Sequence, residues 1–173
     1  LFVGLQNVWM TDNLKEPAAG QIRWQKLSNW TTSENVWALA VAPSNPNIVY
    51  VSHGGSEKLY KTTNALSENP NWEALTSFLP NYIGIDDIEV DPDNPNHLWI
   101  ALGNKIYESE NGGYQWTNIS GSLPDINIST IVLDKDSPVE ALYIGMDVGV
   151  YYRDATMSDW VLFANGLPNV EIT

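Results

Sequence analysis

Apolar and polar residues alternate with a period of two along much of this chain, in short runs broken by turn formers. Ile88-Glu89-Val90-Asp91 is the clearest run, and its period is that of a half-buried strand. Pro92-Asp93-Asn94-Pro95-Asn96 follows, a cluster that continues neither a helix nor a central strand. Leu98-Trp99-Ile100-Ala101-Leu102 predicts a second strand, Gly103-Asn104 a tight hairpin, and Lys105-Ile106-Tyr107-Glu108-Ser109 a third strand. Residues 110–115 make the next turn, and Trp116-Thr117-Asn118-Ile119 makes a fourth strand. Four antiparallel strands and three short turns form one unit.

The unit recurs. A Trp followed three residues later by a large apolar residue occurs as Trp24/Leu27, Trp72/Leu75, Trp116/Ile119 and Trp160/Phe163, in steps of 48, 44 and 44 residues. Val8-Trp9, Leu59-Tyr60, Ile106-Tyr107 and Val150-Tyr151 keep the same register upstream, as do Leu79-Pro80, Leu123-Pro124 and Leu167-Pro168 downstream. Self-similarity at this period marks a propeller blade or another repeat array. The pattern predicts strands near 36–42, 48–52, 58–62, 85–91, 98–102, 105–109, 129–133, 141–145 and 149–153, with essentially no helix. The expected fold is all-β, a partial β-propeller of about three and a half four-stranded antiparallel blades. Its units are 1–34, 35–83, 84–125 and 126–170. The first is expected to be incomplete, with only its third and fourth strands around Trp9 and Trp24, separated by the insertion 13–21.

Blades of ~40–50 residues in rings of ~4–8 need well over 200 residues, so 173 residues are expected to be a piece of a longer repeat protein. An excess of 21 Asp+Glu over 8 Lys+Arg, a net charge of −13, argues against nucleic acid as a partner, because phosphate affinity is a Lys/Arg effect. No apolar run approaches a membrane span of ~18 residues. With no cysteine, disulfides, thiolate metal sites and thiol nucleophiles are excluded. Open blade faces at either end of a partial ring predict self-association, because repeat units bury their apolar faces by stacking.

Ser109-Glu110-Asn111-Gly112-Gly113-Tyr114-Gln115-Trp116 fits the Ser-x-Asp-x-Gly-x-x-Trp pattern of an Asp-box, with Asn111 in the Asp slot. A short side-chain oxygen there can cap turn amides, Gly113 can take positive φ and Trp116 can enter the core. Thr62-Thr63-Asn64 with Trp72, Thr11-Asp12-Asn13 with Trp24, and Arg153-Asp154 with Trp160 are degenerate copies. The chain therefore resembles the Asp-box (BNR-repeat) β-propellers, and its wording is most similar to the xyloglucanase-like and sortilin-type propeller repeats of secreted bacterial proteins. The resemblance implies a folding role for Ser109, Asn111, Gly113 and Trp116, and an extracellular or cell-surface location in a bacterium.

In a propeller the hairpins between second and third strands share a face with the blade-to-blade links. That face is expected to receive the hairpins at 53–57, 103–104 and 146–149, with Trp30, Tyr82, Asp86, Asp87 and Asp125 as candidate binding residues. Asp147 is the candidate catalytic residue, because 145–153 looks like the xyloglucanase stretch that carries a catalytic Asp, although Gly145 and Val150 depart from it. Glycoside cleavage needs two carboxyls, and no spacing fixes a partner for Asp147. A sialidase-type Arg cluster is excluded by having only Arg23 and Arg153. His53 and His97 read as lone imidazoles in separate turns, so no metal or cofactor is expected. The expected function is a non-catalytic binding or structural module with a polysaccharide or protein ligand. The alternative is a fragment of a xyloglucanase-like glycoside hydrolase.

Overall fold

The computed structural model describes residues 1–15, 19–31, 33–55, 58–79 and 84–163. The expected binding residue Tyr82, along with 56–57 of the first hairpin, lies outside the described residues. The strands fall into four antiparallel sheets in chain order. The first holds β1 (Phe2–Gly4), β2 (Val8–Met10) and β3 (Gln25–Lys26). The second holds β4 (Val36–Val41), β5 (Val49–His53), β6 (Leu59–Thr62) and β7 (Glu73–Ala74). The third holds β8 (Ile85–Val90), β9 (Leu98–Leu102), β10 (Lys105–Ser109) and β11 (Thr117–Asn118). The fourth holds β12 (Ile128–Asp134), β13 (Ala141–Met146), β14 (Gly149–Arg153) and β15 (Val161–Leu162). Each strand pairs with its chain neighbour, and the architecture is a partial β-propeller.

Three details correct the sequence expectation. The first unit has an additional strand, because β1 pairs with β2 through Val3 and Trp9. The fourth strands keep only two residues, although the following amides of Leu27, Leu75, Ile119 and Phe163 each still reach the third strand. Helix among the described residues is limited to the 3₁₀ turns Ala19–Gln21 and Thr76–Phe78.

The core lies in three seams, one between each pair of consecutive sheets. Val49 and Val51 join Val8, Met10 and Leu27 in the seam between the first and second sheets. Tyr50, one residue out of phase, joins Leu98, Ile100 and Leu102 in the next seam. Trp99 and Ala101 turn the other way and pack with Ile131, Leu142 and Ile144. The middle strands of the second and third sheets are therefore buried on both faces, which is why they read as unbroken apolar runs. Two Trp side chains also tie seams by hydrogen bonds: the Trp72 indole N–H donates to Leu27 O (2.8 Å) and that of Trp160 to Ile119 O (2.7 Å). The Trp116 indole N–H has no such partner. The corresponding carbonyl, of Leu75, accepts instead from Phe78 N (3.0 Å) in a 3₁₀ turn.

Antiparallel register gives each sheet two ends. The link end holds the sheet-to-sheet connections and the second-to-third-strand hairpins. In the hairpin at 103–104, Gly103 takes φ +63°, as a two-residue turn with positive φ at its first central position requires. The turn end holds the first-to-second and third-to-fourth turns, among them Asp91 to His97 and Ser109 to Trp116.

Candidate functional site

At the link end each four-stranded sheet has a β-bulge in its first strand, between Val36 and Leu39, Ile85 and Asp87, and Ile128 and Thr130. A bulge re-aims the side chain it carries. In register, the aligned positions are Trp37, Asp86 and Ser129. Trp37 is 51% exposed. A Cβ on Gly84 would fall 1.7 Å from its ring, and one on Gly54 would fall 3.2 Å from it. The indole is therefore set against two glycines with part of its surface open to solvent, and Lys58 Nζ lies 5.7 Å from its centroid.

The carboxylates at this end are engaged to different degrees. Asp87 Oδ2 accepts from Thr130 Oγ1 (3.0 Å) and Ile131 N (2.8 Å), and its Oδ1 accepts from Ile88 N (2.9 Å), so it clasps β8 to β12. Asp125 accepts from Asn104 and lies 3.8 Å from Lys105 Nζ. Asp86 is held above the ordinary carboxylate range by loss of water on one side and by the Asp87 charge, while a hydrogen bond from the Gly103 amide pulls the other way. Asp147 sits exposed between β13 and β14. Trp30 is turned inward, stacked on Tyr60 (4.5 Å between centroids) and edge-on to Trp72 (5.4 Å).

At the turn end, Ser109 Oγ donates to Asn111 Oδ1 (3.1 Å) and accepts from Gly113 N (2.9 Å), and Asn111 Oδ1 accepts from Gln115 N (2.9 Å). Gly113 has φ +94° and would drive a Cβ to 2.9 Å from Leu75. The same scheme recurs with longer loops. Thr62 and Asn64 are joined at 3.0 Å and Asn64 receives Asn71 N, while Thr11 and Asn13 are joined at 2.8 Å and Asn13 receives Arg23 N. In all three the donor is the residue immediately before the Trp; Trp116 and Trp72 then pack into seams, whereas Trp24 stays 43% exposed.

The turn end also gathers a charged cluster that contradicts the reading of His97 as a lone imidazole. His97 Nε2 lies 2.8 Å from Glu108 Oε1, and Nδ1 lies 3.3 Å from Asp91 Oδ2 and 3.4 Å from Glu140 Oε1. Glu140 comes from the turn before β13 of the fourth sheet, 43 residues along the chain, and only the seam brings it near. The hydrogen bond to Glu108 raises the His97 imidazole above its ordinary value against the opposing effect of burial. The same bond holds Glu108 below the carboxylate range. Burial raises Glu140, and the His97 charge offsets part of that. Asp91, His97 and Glu140 bring their ligand atoms within 4.8 Å of one another, and these three could hold a metal ion. Cavities of about 210 and 220 Å³ border Glu140, one lined also by Trp99, Glu108 and Arg153, the other by Asp91 and Lys135.

Sequence reasoning missed both Trp37 and this cluster. The signal for Trp37 was its place in register with Asp86. For the cluster no local signal exists.

No protein-family model matches the chain, and no curated protein matches it. Solved structures do. An ancestral GH74 enzyme matches over 90% of this chain at 23% identity and a TM-score of 0.66. The Niastella koreensis GH74 enzyme matches over 93% at 21% identity and 0.65. The GH74 xyloglucanase from Xanthomonas campestris matches over 78% at 18% identity and 0.58. These matches cover 21%, 27% and 24% of those chains, so this chain spans about a quarter of their length. The likeness is one of fold.

Proposed function

We propose that this chain is a non-catalytic, polysaccharide-binding segment of a propeller that works outside a bacterial cell, with Trp37 as its sugar-stacking platform. The observation that carries the reading is the Trp37 ring, held against Gly54 and Gly84 yet half exposed, beside the bulge that presents Asp86. A fixed aromatic face offers its apolar surface to the C–H face of a pyranose at little entropic cost, and a neighbouring carboxylate can accept from sugar hydroxyls. The fold likeness to a xyloglucanase suggests a β-glucan backbone as the ligand class. The turns built on Ser109, Asn111, Gly113 and Trp116 fit an Asp-box and serve the fold in this reading.

Calorimetric titration with xyloglucan oligosaccharides should give measurable binding that Trp37→Ala weakens by at least about tenfold, roughly one stacking contact's worth. Equal binding by Trp37→Ala sinks the proposal. One observation favours a second reading, glycoside hydrolysis: the raised carboxyl of Asp86 is suited to a general acid, with Asp147 as the second carboxylate. Reducing-sugar release that disappears in both Asp86→Asn and Asp147→Asn, with the fold intact, would replace the first reading with the second.

A further inference from the structure

We propose that Asp91, His97 and Glu140 form a divalent-cation site of the zinc class, with Glu108 orienting the imidazole from behind. The Glu108 oxygen 2.8 Å from His97 Nε2 is an acceptor, so Nε2 carries the proton. Nδ1 then faces two more acceptors, Asp91 Oδ2 at 3.3 Å and Glu140 Oε1 at 3.4 Å. Three electron-pair donors converging this closely need a cation among them. A second proton on Nδ1 would supply that cation only across two long contacts, 3.3 and 3.4 Å. Glu140 Oε1 is buried and accepts no hydrogen bond.

A metal ion satisfies all three atoms at once. One imidazole nitrogen and two carboxylate oxygens make a borderline donor set that suits Zn²⁺, with contacts contracting to ~2.0–2.2 Å. Glu108 against Nε2 is the carboxylate–histidine arrangement that fixes a metal-binding tautomer. Asp91 can spare Oδ2 because Oδ1 alone caps its own turn, through Asp93 N (2.7 Å) and Asn94 N (2.9 Å). The cavities beside Glu140 leave room for a fourth ligand, a water. The site lies at the opposite end of the sheets from Trp37 and does not depend on the polysaccharide reading.

The test is titration of chelator-treated protein with ZnCl₂ and, for its visible absorption, with CoCl₂. One ion should bind per chain, with a tetrahedral Co²⁺ band and a rise in Tm. Glu140→Asn removes a ligand while keeping a foldable turn. The aligned positions, Asn47 and Asn96, already carry Asn, and Asn accepts the φ of +53° found at Glu140. That variant and His97→Gln should lose the band. Glu108→Gln keeps all three ligands and should weaken binding by about 10–100-fold. No uptake by the wild type overturns the proposal. So does uptake that survives Glu140→Asn, which would mean scattered surface carboxylates hold the ion, and so does an unchanged affinity in Glu108→Gln.

Discussion

The seam between the second and third sheets and the seam between the third and fourth place different chemistry on the same backbone positions. Lys61 pairs with Tyr50 as Glu108 pairs with Trp99. Asn96 and Glu140 each stand two residues before the Leu that opens the turn end, Leu98 and Leu142. In the earlier seam Lys61 Nζ donates to Asn96 Oδ1 (3.3 Å) and Gly112 O (3.4 Å), with the Tyr50 and Tyr114 rings at 5.3 and 5.5 Å. Cation and acceptors meet directly, and burial pulls the ammonium below its usual range while Glu73 opposes. In the later seam the matching pair is Glu108 and Glu140, two acids that cannot satisfy each other, and His97 stands between them. A repeat thus fixes the slot and leaves its side chain free. Where one cation closes the slot the result is a clasp, and where both partners are acidic the result is a cluster that needs a cation.

The comparison breaks most sharply if the earlier seam is given the later seam's residue. Lys61 is only 6% exposed, so Lys61→Glu places a carboxylate against Asn96 Oδ1 and the Gly112 carbonyl with no imidazole to intervene. Leaving such a charge unpaired costs about 3–5 kcal/mol, and urea unfolding should show it as a large drop in midpoint. A loss under about 1 kcal/mol would mean that the clasp contributes little beyond its aliphatic stem.

A smaller difference separates the Trp residues of the same two seams. Trp160 donates to Ile119 O across the later seam, whereas Trp116 reaches no partner across the earlier one. Trp160→Phe should therefore cost about 0.5–1.5 kcal/mol more than Trp116→Phe, the net value of one hydrogen bond, with Arg153 left as the remaining donor to Ile119 O. Equal losses in chemical denaturation would show that ring volume alone decides.

Strand placement was legible because it is local: period-two runs and Pro/Asn/Gly clusters place nearly every long strand within a residue or two. β1 was not, since three residues ending in Gly4 carry no period of their own and acquire identity only by pairing with Val8–Met10. Strand order alone places Asp86, Asp125 and Asp147 at the link end. It could not show that Asp87 is consumed by Thr130 and Ile131, because that depends on the neighbouring sheet's register. The same limit hid His97 and Glu140, each an ordinary polar residue in its own turn. Trp37 lies inside the predicted strand 36–42, and the bulge that decides where it points leaves no mark in the alternation.

The smallest effect concerns Glu89, another acid of the later seam, which forms no ion pair with a cation among the described residues. Its Oε1 accepts from Leu133 N at 3.3 Å, and burial lifts its carboxyl above the usual range, the Leu133 amide opposing and Asp87 adding. A raised folded-state pKa means that protonation favours the fold. Its contribution is fully present below the unfolded glutamate value of about 4.3 and is lost as pH rises through the folded value. Glu89→Gln keeps the acceptor and removes the charge, so at pH 7 it should be more stable than the wild type by about 0.5 kcal/mol, a figure reduced for the solvent that reaches this half-buried side chain. The advantage should shrink as pH falls toward 4, because the wild type then becomes neutral as well. Thermal unfolding of both proteins across that range reads the gap. A gap that widens toward low pH would show that Glu89 is stabilised as an anion, and that the later seam tolerates negative charge even without an ion pair.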